Sequence, residues 1–174
     1  MIREATNRDS ASIALIYNHY VSHSVATFEE SEVDASEIAK RVNKVREEGL
    51  PWLIAENDAG VIGYAYAAKW HHRSAFRHTV EVTIYLSPTL VSKGIGTELY
   101  TMLFARLLEL KIHVVISVIT LPNAASIAIH ERFGMKKVGH FHEVGNKFGK
   151  WLDVGFWELL LDEARPHQFI SING

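Results

Sequence analysis

Residues 79–96 read TVEVTIYLSPTLVSKGIG, and the fold turns on how this stretch is read. Its first eight residues alternate, with Val80, Val82, Ile84 and Leu86 on one face and Glu81, Thr83 and Tyr85 on the other. That is the period of a half-buried strand. Ser87-Pro88 suits a turn, and Ser92-Lys93-Gly94-Ile95-Gly96-Thr97 then opens a helix. Leu99, Leu103, Leu107 and Leu110, with Tyr100, Phe104 and Leu108, draw an apolar stripe over about residues 94–110. Glycines let a backbone approach a ligand closely, and a helix N-terminus favours an anion. Lys93 adds a full positive charge. The order therefore sets an ionisable group, Glu81, a few residues from a phosphate cradle. On the two glycines alone, a plain tight turn starting a helix fits equally well.

Outward from this stretch, strands and helices interleave. Residues 2–5 read as a short strand, and Thr6 with Asp9 resembles a capping box before a helix carrying Ile13, Ile16, Tyr17 and Tyr20 on one face. A second helix is expected over 34–48, stopped by Gly49 and Pro51. Strands over 52–56 and 61–69 flank Asn57-Asp58-Ala59-Gly60, which suits a hairpin turn. A buried strand over 114–119 precedes a short helix over 123–133 that ends at Gly134. Two more strands are expected over 136–144 and 153–161, and residues 163–174 read as a weakly structured tail. Hairpins mix with alternating units, which predicts an α+β domain over residues 1–162: a mixed, largely antiparallel sheet flanked by helices.

Composition narrows the function classes. Hydrophobic residues are 48 % and charged residues 22 % of 174, so a globular chain with one sizeable core is expected. A net charge of -2 and the lack of a basic run argue against a nucleic-acid partner. No cysteine is present, which removes disulfides, thiolate metal sites and a cysteine nucleophile and fits a reducing compartment. The start, MIREATNRDS, carries charge without a long apolar run, so no signal peptide is expected, and no stretch approaches the ~18 apolar residues of a membrane span. Ten histidines invite a metal reading. His19 and His23 lack the Glu of an HExxH pattern, His71 and His72 are merely adjacent, and His140 and His142 give only strand alternation, so no metal site is expected.

Other phosphate loops fit poorly. A P-loop ends in Gly-Lys-Ser/Thr, but Lys93 precedes the first glycine. A dinucleotide fingerprint needs a third glycine where Leu99 stands. The chain instead resembles the GCN5-related N-acetyltransferases. Val91-Ser92-Lys93-Gly94-Ile95-Gly96 is similar to their Gln/Arg-x-x-Gly-x-Gly/Ala loop, with Val91 at the first position. Asn123-Ala124-Ala125-Ser126-Ile127 and Phe133-Gly134-Met135 resemble two later motifs. Residues 70–86, WHHRSAFRHTVEVTIYL, with Thr27-Phe28-Glu29 and the run VGNKFGKWLDVGFWEL, resemble the subgroup that acetylates phosphinothricin, methionine sulfoximine and methionine sulfone.

The resemblance implies acetyl-CoA as co-substrate, held by Ser92, Lys93, Gly94, Ile95, Gly96 and Thr97, by the backbone of Ile84, Tyr85 and Leu86, and by Asn123, with Arg132 a further candidate. It implies Glu81 as general base, because an α-ammonium group must lose a proton before it attacks a thioester. Read alone, Glu81 is better explained by a salt bridge with Arg77 or a solvent-facing strand position. His130 stands where relatives carry the acid for the departing thiolate, and a helix histidine simply hydrogen-bonded to a neighbour is the alternative. Arg73 is the expected carboxylate contact. Phe28, Glu29, Ser74, Ala75 and Phe76 are the other expected substrate neighbours. A cytoplasmic homodimer without nucleic-acid or membrane partners is implied. Acetylation of protein N-termini or polyamines, and a non-catalytic acetyl-CoA sensor, are the competing functions.

Overall fold

The computed structural model describes residues 1–89 and 94–161. Ser92 and Lys93, and the tail from 163 to 174, lie outside the described residues. Strands β1 (Ile2–Glu4), β2 (Trp52–Asn57), β3 (Gly60–Lys69), β4 (Thr79–Leu86), β5 (Val114–Leu121), β6 (Lys136–Lys147) and β7 (Lys150–Leu160) form one sheet in the order β1-β2-β3-β4-β5-β7-β6. The β4–β5 pair is parallel and the others are antiparallel, so the mixed, largely antiparallel sheet expected from sequence is the one observed. The helices are α1 (Ser10–His23), α2 (Ala35–Glu47), α3 (Ile95–Glu109) and α4 (Ala124–Arg132).

Apolar periodicity distributes the helices over two faces. Ile13, Ile16, Tyr17 and Val21 of α1, with Ile38, Val42 and Val45 of α2, pack against Trp52, Ile54 and Tyr64. Leu99, Tyr100, Leu103, Phe104 and Leu107 of α3 cover the opposite face, against Ala65, Ala67, Val80, Val82 and Val115. Each fully buried leucine there contributes roughly 1.5–3 kcal/mol. Local signals fix the helix ends. Asp34 caps α2 by accepting from the Glu37 N–H, and Gly49 (φ 72°) follows its last turn. Thr6 and Asp9 do form a capping box, but on a 3-10 turn that precedes α1.

The C-terminal hairpin is longer than its sequence suggests. The ladder of β6 and β7 runs to Lys147 and Lys150, so residues 145–152 are strand and turn where a break was expected. Phe148 (φ 52°) and Gly149 (φ 70°) make the two-residue connection. A phenylalanine at positive φ is an uncommon turn residue, which is why the turn is hard to read.

The parallel pairing of β4 with β5 stops after Glu81 and Ile116. Beyond it β4 stays with β3 through Leu86, and β5 stays with β7 through Leu121. The two strands therefore diverge and leave an opening in the middle of the sheet.

Candidate active site

The opening between β4 and β5 is a cavity of about 240 Å³. Its walls include side chains from both faces of each strand: Ile84 and Tyr85 of β4, Ser117 and Val118 of β5. Successive strand residues point to opposite faces, so residues of both faces of the sheet line the cavity. Tyr20 and Ala26 border it on the α1 side, and Ile129 and His130 on the α4 side.

Backbone hydrogen bonding along β4 also alternates. The Ser87 N–H reaches the Ile62 carbonyl, and the Thr79 carbonyl accepts from Trp70, so odd-numbered residues bond to β3. The His78 carbonyl accepts from Val114, so even-numbered residues face β5. Past the last parallel pair, the backbone groups of Val82, Ile84 and Leu86 thus face the cleft, while those of Tyr85 turn to β3. The Leu86 carbonyl is occupied by the Tyr20 hydroxyl at 2.7 Å, which leaves the Leu86 N–H as the donor at the strand end.

Gly94, at φ 105°, caps α3 in a conformation that side chains rarely adopt. The N–H groups of Ile95, Gly96 and Thr97 lie in the first turn, where a helix supplies no acceptors of its own. Gly96 is packed against the strand end: an added Cβ would lie 3.0 Å from Ile129 Cδ1 and 3.4 Å from Leu86 Cδ1. This second glycine therefore brings the helix N-terminus up to the mouth of the cleft.

Glu81 lies on the α1/α2 face, directly across the ladder from the small Ala68. Burial alone raises its pKa, and among the described residues no cation pairs with it. Arg77 instead donates to the Ser74 carbonyl. A desolvated carboxylate without a counter-ion is a poised proton acceptor.

His130 lies on the other face and is 3 % exposed. Its Nδ1 is 2.6 Å from the Ser126 carbonyl, so Nδ1 carries the proton and donates it there. Nε2 lies 2.8 Å from both the Tyr100 and the Ser117 hydroxyls. Burial lowers the pKa, and the Ser126 carbonyl only partly offsets this. The neutral ring thus holds no proton aimed at the cleft. Its Nε2 has one lone pair for two hydroxyls, so one hydroxyl is left to donate elsewhere. Tyr100 is wholly enclosed, whereas Ser117 lines the cleft.

The remaining expected residues divide. Asn123 lines the cleft, and its carbonyl oxygen caps α4 by accepting from the Ser126 N–H at 3.1 Å. Arg132 lies on the exposed side of α4, two residues past His130 and away from the cavity. Arg73, Ser74, Ala75 and Phe76 are exposed on a 3-10 turn between β3 and β4, at the sheet end where Glu81 lies. Glu29 pairs with Arg41 of α2 at 2.9 Å. Phe28 fills the space left by Gly145, where an added Cβ would overlap its ring.

Two functional neighbours escaped sequence reasoning. Ser117 is an unremarkable serine in an apolar strand, and only the pairing with His130 gives it meaning. Lys147 is buried at 1 % exposure and donates to the carbonyls of Ser24 and Thr27, both at 2.8 Å. It ties the β6–β7 hairpin to the loop that carries Phe28 and Glu29. Its place in the KFGK run was the one available signal.

The family model of the acetyltransferase (GNAT) domain matches residues 2–155. This chain belongs to the GNAT acetyltransferases. It is 36 % identical over 162 residues to the L-amino acid N-acyltransferase MnaT of Escherichia coli, covering 93 % of this chain and 94 % of that one. It is 37 % identical over 165 residues to the L-methionine sulfoximine/L-methionine sulfone acetyltransferase of Pseudomonas aeruginosa, covering 94 % and 96 %. Among solved GNAT structures, the phosphinothricin acetyltransferase of Sinorhizobium meliloti in complex with AcCoA superposes with a TM-score of 0.89 at 38 % identity, covering 94 % of this chain and 89 % of that one. Among the described residues no helix is long and apolar enough to cross a membrane.

Proposed function

We propose that this acyltransferase moves the acetyl group of acetyl-CoA to the α-amino group of small L-amino acids or analogues such as methionine sulfoximine, methionine sulfone and phosphinothricin. The observation that supports the reading is the cleft between β4 and β5, with the desolvated carboxylate of Glu81 one residue before its lining begins at Val82 and the α3 N-terminus on the opposite face. The relatives' names supply the substrate class.

Acetyl-CoA enters from the α3/α4 face. The N–H groups of Ile95, Gly96 and Thr97 receive the pyrophosphate, together with Ser92 and Lys93 of the loop. The exposed backbone of Val82 and Ile84 pairs with the pantetheine arm, and Asn123 flanks it. The Leu86 N–H donates to the thioester oxygen and to the oxyanion that follows. The amino acid enters from the α1/α2 face, past Phe28 and Glu29, with Arg73, Ser74, Ala75 and Phe76 at the entrance. Glu81 removes a proton from the ammonium group, directly or through one water. The amine then attacks the carbonyl, the C–N bond forms and the C–S bond breaks. His130 keeps Tyr100 on its lone pair, and the Ser117 hydroxyl donates to the departing sulfur. The second amine proton, lost as the amide forms, passes through water to the thiolate and makes the free thiol. His130 is in this scheme a positioning residue.

The unit is the single domain 1–162, in a cytoplasmic setting suited to acetyl-CoA. The acting form is a homodimer. Val138, Phe141, Val144, Phe148 and Trp151 are each exposed on the β6–β7 hairpin, and a second copy would cover them.

Thiol release from acetyl-CoA, measured across methionine sulfoximine, methionine sulfone, phosphinothricin, ordinary L-amino acids, an N-terminal peptide and spermidine, tests the function. Turnover confined to the amino-acid group is expected. Preference for the peptide or the polyamine would replace the reading, and acetyl-CoA binding without turnover on any acceptor would leave a sensor.

A further inference from the structure

The register of the β6–β7 hairpin gathers three metal-binding side chains outside the cleft. Phe141 pairs with Val154 and Gly145 with Leu152, so residues 142–144 bulge opposite the single residue Asp153. The bulge folds His142 and Glu143 about that carboxylate. His140 Nε2 lies 2.7 Å from Asp153 Oδ2, and His142 Nδ1 lies 3.2 Å from the same oxygen. The ligand atoms of all three lie within 4.8 Å of one another. Zinc bound tetrahedrally at about 2.0–2.2 Å requires its ligand atoms roughly 3.4 Å apart, so small side-chain rotations suffice. The other carboxylate oxygen, Oδ1, accepts from the Glu143 N–H at 2.8 Å. That bond orients Asp153 from behind, as outer partners of metal ligands do. Sequence alternation alone offers two imidazoles; the bulge adds the third ligand.

We propose that His140, His142 and Asp153 form a site for a late first-row divalent cation, zinc foremost, with water in the fourth position. Two imidazoles and one carboxylate suit zinc better than calcium or magnesium, which take oxygen ligands. The proton balance is explicit. Lys137 Nζ lies 2.8 Å from His140 Nδ1, so the ammonium donates there and the His140 proton sits on Nε2, facing Asp153. To ligate, Nε2 must be bare. The proton moves to Nδ1 and the exposed Lys137 side chain swings off. Lys137 therefore competes with the cation, and no such competition exists in a purely hydrogen-bonded staple. His142 ligates through Nδ1, so the proton that Nδ1 now directs at Asp153 moves to Nε2, toward solvent. The same hairpin carries Gly145 and Lys147 to the Phe28 loop, so a bound cation would stiffen one wall of the acceptor entrance.

The test is independent of the transferase reading, since it reads binding. The full-length chain is titrated with zinc alone against a chromophoric chelator. One zinc per chain is expected, with affinity lowered at least about tenfold in His142→Ala, raised in Lys137→Met, and unchanged in the His19→Ala/His23→Ala double variant. His142 is 80 % exposed, so its loss leaves the fold intact. Zinc should also raise the Tm of the wild type and not of His142→Ala. Undiminished affinity in His142→Ala, or affinity that disappears with His19 and His23, overturns the site.

Discussion

His130 is a buried and Glu81 a half-buried ionisable group, yet desolvation prepares them for opposite work. It raises the Glu81 pKa, so the carboxylate that remains at neutral pH is a stronger base. Glu81→Gln should cut kcat by about 100-fold or more while acetyl-CoA affinity holds. In the wild type, kcat/KM should rise with pH as Glu81 deprotonates. Steady-state profiles read this, and an acid limb that survives in Glu81→Gln would remove Glu81 from the base role. Burial lowers the His130 pKa, so the unfolded chain binds a proton there more readily than the folded one. His130 therefore adds nothing unfavourable above its unfolded pKa of about 6.5, and stability should decline as pH falls below it. Urea unfolding between pH 8 and pH 5 should show that decline, flattened in His130→Gln. Ser117→Ala should slow turnover with little effect on acetyl-CoA affinity. Wild-type kcat in that variant would show that the sulfur needs no hydroxyl. Glu81 became a candidate base only through the family resemblance, since a lone acid in an apolar strand is more often salt-bridged or solvent-facing. Ser117 and Lys147 were not legible, since each owes its role to a partner far along the chain: Ser117 to His130, and Lys147 to the carbonyls of Ser24 and Thr27.

At the scale of elements, strong periodicity was enough. The stripe of Leu99, Leu103 and Leu107 and the alternation of residues 79–86 delivered α3 and β4 almost to the residue. The hairpin tip did not declare itself, because Phe148 takes a conformation that usually belongs to glycine or asparagine. Nor could the glycines of the loop be apportioned. Gly94 serves backbone conformation and Gly96 close packing, two constraints that look identical in sequence. Gly94→Val should strain the α3 cap and weaken acetyl-CoA binding, and calorimetric titration checks it. Lys147→Met removes two charge-assisted bonds between the hairpin and the Phe28 loop. A stability loss of about 2 kcal/mol is expected, with KM for the amino acid raised more than KM for acetyl-CoA. Equal KM values would confine Lys147 to holding the fold.

The molecule as a whole is organised by one departure from regularity, the divergence of β4 from β5. No residue type marks it. It follows from pairing lengths: three parallel rungs between β4 and β5, against long antiparallel ladders on either side. That is why no local sequence signal marks the cleft that joins the candidate residues. The exposed aromatic residues of the β6–β7 hairpin belong to this scale too. Trp151→Asp should shift the particle from dimer to monomer in sedimentation analysis, and a wild-type chain that sediments as a monomer would dismiss the homodimer.

A cleft lined from both faces of the sheet also bears on how products would depart. Under the proposed function the acetylated amino acid would withdraw past Phe28 on one side of the sheet, and free coenzyme A past α3 on the other. Neither product would have to wait for the other to clear a shared exit. Each should therefore compete chiefly with the substrate that uses its own doorway, the N-acetyl product with the amine and coenzyme A with acetyl-CoA. An accumulated product would then slow the enzyme without trapping its companion inside.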